Sequence, residues 1–353
     1  MQYPALLIDR LKFRENAEQL MALFQSRGKR VHFVTKCFCA YEPLIQELLD
    51  CGCRHFADSR LENFPAFQSF GEDSILLRLP MLSELREVVA GCDISLNSEI
   101  DTINALSDVA LSLGRRHGII LMIELGDRRE GILPDEVDSY VRTIMNLRGV
   151  RLRGIGANFN CYGAVIPDEE KMRQLAEIAE YIEQRYHIQL DYVSGGNSGS
   201  LYLLEEGRLP EKVNHLRIGE ALLLGRETSF GRGFIGLNQD VFTFRAEVIE
   251  CKRKPSLPDG QIGRNALGEV VHFEDHGIIR RAILAVGAQD LDPRSLRPQL
   301  KGIQFLGNSS DHSIYDISAS TKCIRTGDFL DFSVNYSALN RLFTSPYVHK
   351  YMI

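Results

Sequence analysis

A lysine closes the run Arg30-Val31-His32-Phe33-Val34-Thr35-Lys36, and its position invites chemistry. The run is apolar and β-branched after a basic turn at Gly28, the composition of a short strand. Burial disfavours an ammonium, so a lysine at such a strand end has two readings. Either its stem snorkels into solvent, or it is a desolvated amine poised to condense with a carbonyl group. Two later segments bear on that choice. Ser194-Gly195-Gly196-Asn197-Ser198 offers glycine backbone for close approach and serine hydroxyls, a chemistry suited to phosphate, although the glycines equally suit a bare tight turn. Arg217-Ile218-Gly219-Glu220 closes the last short apolar run, 215–218.

These segments are punctuation marks in a regular rhythm. A helical pattern covers Leu11 to about Ser26 and is closed by Gly28. After it, short apolar runs at 31–36, 54–57, 74–79, 92–96, 119–125, 151–159, 190–194 and 215–218 read as strands. Helical patterns at 42–50, 60–70, 83–90, 99–113, 135–147, 169–186 and 201–206 alternate with them. Regular βα alternation with doubly buried strands implies parallel pairing and right-handed crossovers. Eight such units close a (β/α)₈ barrel of the TIM type, the fold class expected here. An open doubly wound sheet would want a Gly-x-Gly-x-x-Gly turn after its first strand, and Lys36-Cys37-Phe38-Cys39 is no such turn.

From about Gly231 long helical patterns give way to β-rich runs at 241–251, 270–274, 279–286, 313–318 and 329–335, separated by turns such as Pro258-Asp259-Gly260. The expected organisation is a barrel over 1–230 and a smaller all-β C-terminal domain over 231–353, with strand 5–8 a possible partner of the second domain.

Composition narrows the function classes. The 353 residues are 44% hydrophobic and 25% charged, an ordinary globular balance. A formal charge of -6 and no basic block argue against nucleic acid. No apolar run approaches the roughly 20 residues of a membrane helix, and Asp9 and Arg10 interrupt any secretory signal, so a cytoplasmic location is expected. Eight scattered cysteines do not make a disulfide framework. The Cys37/Cys39 and Cys51/Cys53 pairs lack zinc-knuckle spacing, and no metal is expected.

In a barrel, chemistry collects at the carboxyl ends of the strands. A lysine after the first strand and a phosphate cradle after the last two match the two ends of pyridoxal 5'-phosphate (PLP), an aldehyde and a phosphate. The motifs Phe56-Ala57-Asp58-Ser59-Arg60, Asp93-Ile94-Ser95-Leu96-Asn97-Ser98-Glu99, Gly126-Asp127-Arg128-Arg129-Glu130-Gly131, Asn160-Cys161-Tyr162-Gly163 and Leu224-Gly225-Arg226-Glu227-Thr228 extend the match. Over essentially its whole length the chain resembles the alanine racemase (fold type III) superfamily of PLP enzymes, and within it the branch that racemises ornithine and other basic amino acids.

The resemblance implies roles. Lys36 matches the lysine that holds the cofactor and then acts as one of two acid/base catalysts. Asn197 and Ser198, with the backbone of Gly219 and Glu220, match the phosphate cup, and Tyr336 a phosphate-side tyrosine. Arg217 matches the arginine facing the pyridine nitrogen, Arg129 one near the phenolic oxygen, and Asn158 falls where a histidine packs by the ring. An arginine cannot support a protonated ring nitrogen, which favours prompt return of the α-proton over transamination. The resemblance also implies a homodimer with shared active sites.

One departure stands out. The second base of alanine racemases is a tyrosine in a Gly-Tyr-Ala-Asp-Gly motif, whereas this chain reads Gly287-Ala288-Gln289-Asp290-Leu291. Asp311 and His312 of Ser309-Ser310-Asp311-His312 are the replacements looked to first. Cys161 and Tyr162 are the alternative within the barrel, and a capping or surface role for Asp311 and His312 stays open. Asp58, Glu130, Asp290 and Asp311 are candidates to hold a distal ammonium. The expected activity is racemisation of a basic amino acid. The rivals are a fold-related decarboxylase, which would pair the ring nitrogen with a carboxylate, and a non-catalytic PLP carrier, which would stop after the barrel.

Overall fold

The computed structural model describes residues 1–265, 268 and 270–353. It divides into two compact units, Phe13–Gln239 and a second formed by Met1–Lys12 with Asp240–Ile353. The division therefore falls nine residues beyond the boundary expected at 230, and the N-terminal strand belongs with the C-terminal segment.

After β1 (Ala5–Ile8) and α1 (Arg10–Ser26), the strands β2 (Arg30–Val34), β3 (Phe56–Asp58), β4 (Ile75–Leu76), β5 (Ile94–Asn97), β6 (His117–Met122), β7 (Val150–Gly156), β8 (Tyr192–Ser194) and β9 (His215–Ile218) close into a barrel in sequence order. All neighbours are parallel, and β2 pairs with β9 to complete the ring. The intervening helices are α2 (Glu42–Asp50), α3 (Leu85–Gly91), α4 (Ile100–Ser112), α5 (Val137–Met145), α6 (Glu169–Tyr186), α7 (Leu201–Glu205) and α8 (Glu220–Leu224). The helix expected over 60–70 is instead a 3₁₀ segment, Leu61–Ala66, with Pro65 inside it. Proline removes an N–H that an α-helix would need.

Strand residues alternate between the barrel axis and the helices. Val34, Ala57, Ile75, Ile94, Leu96, Ile120 and Met122 share one buried cluster with Tyr192. The remaining interior, on β2, β8 and β9, is polar: His32, Ser194, His215 and Arg217 are all buried. Gly154 and Gly156 of β7 make that possible. A Cβ on Gly154 would lie 2.1 Å from the Tyr192 carbonyl oxygen, and one on Gly156 3.4 Å from an Arg217 guanidinium nitrogen.

The second unit is β-rich. β10 (Phe242–Pro255), β11 (Ile278–Leu284), β12 (Leu296–Pro298), β13 (Gln304–Asn308), β14 (Ser313–Asp316) and β15 (Phe329–Val334) form one sheet in the order β12-β15-β10-β11-β14-β13. β1 joins it antiparallel to β10 and parallel to β16 (His349–Met352). No strand forms at 270–274, where Val270 makes only an isolated bridge to Arg264. A helix, α9 (Tyr336–Thr344), stands where only β-rich runs were expected. Asn335 caps it by accepting from the Ala338 N–H at 2.9 Å.

Among the described residues, no helix is long and apolar enough to cross a membrane, and no group of three histidine, cysteine or carboxylate side chains could hold a metal ion.

Candidate active site

Lys36 stands two residues beyond Val34 of the interior cluster, at the carboxyl end of the first barrel strand. It is half-buried, and among the described residues no hydrogen bond or ion pair engages its amine. The backbone around it is held firmly. The preceding hydroxyl, Thr35 Oγ1, donates to Asp58 Oδ2 at 2.5 Å, and the following turn passes through left-handed Cys39 and Ala40. Asp58 also accepts from the Arg60 N–H at 2.8 Å and Asn63 Nδ2 at 3.0 Å. Burial raises its pKa and these donors oppose the rise. A carboxylate so engaged serves the Lys36 turn rather than a substrate ammonium.

The adjoining strand end brings Gly219 against Val34, with a would-be Cβ 3.2 Å from the valine Cβ. The buried Ser198 hydroxyl accepts from the Ala221 N–H at 3.1 Å, tying the loop after β8 to the loop after β9. Asn197 shapes the turn by accepting from the Gly199 N–H at 2.8 Å and donating to the Phe159 carbonyl at 2.8 Å. A Cβ on Gly199 would sit 2.9 Å from Ser229 Oγ, 3.1 Å from Thr228 Oγ1 and 3.2 Å from Asn197 Oδ1, so glycine lets two hydroxyls and an amide oxygen face one short stretch of backbone. Burial raises the pKa of Glu220 beside this cradle, and Arg226 opposes the shift.

Arg217 is buried on β9, in register with His32 of the neighbouring β2. Its Nη2 donates to the Ala157 carbonyl at 2.9 Å and its Nη1 to the Ser194 hydroxyl. No carboxylate forms an ion pair with it among the described residues. Burial brings its pKa down to about 10, with Glu130 opposing the shift, so it stays charged at neutral pH.

A third group lines the loops after β6 and β7. Arg129 donates to the Glu130 carboxylate. A guanidinium can only donate, which orients the Asn158 amide with its oxygen accepting from Arg129 Nε and Nη1, each at 3.1 Å. Buried Asp127 accepts from the N–H groups of Tyr162 at 3.0 Å and Gly163 at 3.1 Å, and so fixes the 161–163 loop. Asn197 Nδ2 reaches the exposed Cys161 Sγ at 3.3 Å, joining this group to the cradle.

The barrel unit thus carries Lys36, Arg129, Asn158, Asn197, Ser198, Arg217, Gly219 and Glu220 at its strand ends. Asp311, His312 and Tyr336 belong to the other unit. There Asp311 and His312 are exposed on a tip joined to the segment that departs from the racemase motif. Ala288 N–H donates to the Ser309 carbonyl at 2.9 Å, and Gln289 N–H to that of Ser310 at 3.0 Å. A Cβ on Gly287 would fall 2.3 Å from the Ser310 oxygen. Asp290, also weighed for a distal ammonium, accepts instead from the Ser345 hydroxyl at 2.6 Å. Tyr336 is half-buried in the first turn of α9. Ser229, His32 and His215 are not singled out by type and spacing. Their partners lie on strands or loops far away in the chain, so no local signal marks them.

A closed parallel barrel carries a lysine just beyond its first strand, a charged arginine near the end of its last and a hydroxyl-lined turn between the last two, the architecture of a (β/α)₈ barrel with its polar groups at the strand ends. The chain belongs to the alanine racemase family: the model described as "Alanine racemase, N-terminal domain" matches residues 8–227. It is 42% identical over 352 residues to an ornithine racemase of Acetoanaerobium sticklandii, covering 99% of this chain and 100% of the relative. It is 39% identical to a lysine racemase of Thermotoga maritima, covering 99% and 98%. The fold is also that of an alanine racemase from Bartonella henselae with covalently bound pyridoxal phosphate, at TM-score 0.73, 17% identity and 99% of both chains. A D-threonine aldolase from Filomicrobium marinum shares it at TM-score 0.73, 13% identity, 97% of this chain and 90% of the other.

Proposed function

We propose that this chain is a PLP-dependent racemase that interconverts the L and D forms of a basic amino acid, ornithine first and lysine next. The observation that carries the reading is the match along the full length to an ornithine racemase and a lysine racemase. The residues present fit the cofactor. Lys36 offers an amine that nothing engages among the described residues, and Thr228 and Ser229 present hydroxyls around Gly199, where a Cβ would fill the space. Ser198, Asn197 and the backbone at Gly219 and Glu220 would hold the phosphate, while Arg217 would face the ring nitrogen and Arg129 with Asn158 the phenolic side. When bound, PLP supplies the electron-withdrawing group that acidifies the substrate Cα–H.

The chain's own residues divide the remaining work. The Lys36 amine takes or returns the proton on one face of Cα. Arg217 donates and never accepts, so a proton is not stored on the ring side and goes back promptly to Cα. That disfavours the decarboxylase reading, which wants a carboxylate at this position. The separate β unit counts against a bare carrier. On the opposite face Ala288 has no titratable atom. We assign that role to the tip carrying Asp311 and His312, contributed by the second copy of a homodimer. Glu130, held by Arg129 at the strand ends, is the barrel carboxylate best disposed to meet a distal ammonium. The setting proposed is the cytoplasm, where eight free thiols are stable.

The test is Cα–H exchange in D₂O with protein and PLP, offering L-ornithine, L-lysine, L-arginine and L-alanine in parallel with chiral analysis. Deuterium at Cα with the D-enantiomer of a basic amino acid is expected. Release of CO₂, or bound PLP with neither exchange nor inversion, would overturn the reading.

A further inference from the structure

The polar part of the barrel interior is a continuous chain of hydrogen bonds. Arg217 Nη1 donates to Ser194 Oγ. Ser194 Oγ lies 2.8 Å from His215 Nδ1, and His215 Nε2 lies 2.9 Å from His32 Nδ1. His32 Nε2 lies 2.9 Å from the Asp73 carbonyl oxygen. Both ends of this chain have fixed polarity, since a guanidinium only donates and a carbonyl only accepts. Working from Asp73, His32 must carry its proton on Nε2, which leaves Nδ1 bare to accept. His215 must then carry its proton on Nε2 and accept at Nδ1. Ser194 must therefore donate to His215, leaving its lone pairs for Arg217. The two ends demand the same arrangement.

We propose that Ser194, His215 and His32 form a one-way relay that positions Arg217, presenting acceptor lone pairs to its buried guanidinium in place of a carboxylate. Its other N–H groups, unbonded among the described residues, are then directed to the substrate site as fixed donors. The proposal rests on the racemase reading only for the use made of Arg217. Protonating either histidine would set two N–H groups against each other across the 2.9 Å contact, or set one against the Ser194 hydroxyl. The surroundings also oppose a charge. Arg30 over the Tyr192 ring, His55 beside His32 and Arg217 itself face the pair. Only the Asp73 carboxylate favours the charge, and Arg153 at 2.8 Å and the Tyr192 hydroxyl at 2.6 Å already occupy it. Burial accordingly pushes the His32 pKa down to about 3 and that of His215 well down.

The first test is ¹⁵N NMR of histidine-labelled protein without cofactor, with signals assigned from His32→Gln and His215→Gln. Both rings are expected as neutral Nε2–H tautomers that do not titrate between about pH 5.5 and 8.5. A proton on Nδ1 of either ring, or a titration in that window, overturns the relay. The second test is kinetic. Ser194→Ala is expected to lower kcat about tenfold or more with KM changed less than about threefold, and Ser194→Thr to restore most of it. An unchanged kcat in Ser194→Ala overturns the positioning role. If Ser194→Ala does not fold, the tautomers of the native protein and the rate of Ser194→Thr still decide. Correct tautomers in a protein that racemises nothing would sink the racemase reading and leave the relay standing.

Discussion

The Thr35 hydroxyl and the Asp58 carboxylate meet at 2.5 Å, one residue before Lys36. Both are fully buried, so the contact ties the first two barrel strands at the point where the lysine leaves the sheet. Asp58 takes three donors in all, and asparagine could not accept them with both of its heteroatoms. Asp58→Asn is expected to cost about 1–3 kcal/mol in urea unfolding, with a fall in kcat larger than the change in KM. Unchanged stability and rate would mean that the turn is held elsewhere.

Lys36→Ala is expected to remove the visible absorbance of bound PLP together with all turnover, at nearly unchanged thermal stability. A half-buried side chain with no partner among the described residues contributes little to the fold. A retained absorbance band would sink the cofactor assignment.

The cradle makes a separate prediction. Gly199→Ala places a methyl group 2.9 Å from Ser229 Oγ and 3.1 Å from Thr228 Oγ1, so one of the hydroxyls must move. PLP affinity is expected to fall at least about tenfold, roughly the worth of one charge-assisted hydrogen bond, with far-UV circular dichroism unchanged. A titration of cofactor absorbance reads this directly.

Buried neutral histidines predict a particular acid response. His32 is held at about 3, His117 at about 4 and His215 well below its ordinary value, in each case chiefly by burial. In the unfolded chain they titrate near 6.5. Below that pH the unfolded state binds protons that the folded state refuses, so stability falls as pH drops from about 6.5 toward about 4. Each histidine adds a slope of up to about 1.4 kcal/mol per pH unit. His117 stacks nothing on the relay and bonds Ser95 at 2.8 Å, so His117→Gln should remove one such increment from urea midpoints measured across this range. An identical slope would assign the acid sensitivity to carboxylates.

The strand ends were legible because barrel chemistry sits where short apolar runs stop, and Lys36, Ser198 and Arg217 each stand at such a stop. The eight-strand closure followed from the same rhythm. The relay was not legible, since His32 and His215 sit inside runs that read as ordinary core. Their contact needs β2 and β9, some 180 residues apart in the chain, to become neighbours on ring closure. Helix α9 was missed because its 9 residues give too few turns for a period to stand out amid strands. The 60–70 segment failed for the opposite reason: its pattern is helical, but Pro65 removes a donor.

The second base is decided by which face loses exchange. Racemisation needs one proton carrier on each face of Cα, and Lys36, in the role proposed for it, would serve only one. If the tip residues serve the other, replacing the responsible side chain leaves Lys36 free to exchange the α-proton of one enantiomer with solvent while inversion stops. His312→Gln and Asp311→Asn, each followed in D₂O from both pure enantiomers, separate the candidates. Both residues are exposed on a tip held by backbone bonds from Ala288 and Gln289, so neither change should disturb folding. One variant is expected to retain wash-in for a single enantiomer with a loss of inversion of about 100-fold or more, the usual scale for a general acid–base group. Should both variants invert normally, the opposite-face proton comes from the barrel itself. Cys161, exposed and bonded to Asn197 beside the cradle, is then the residue to replace, with Cys161→Ala expected to show the same one-sided exchange.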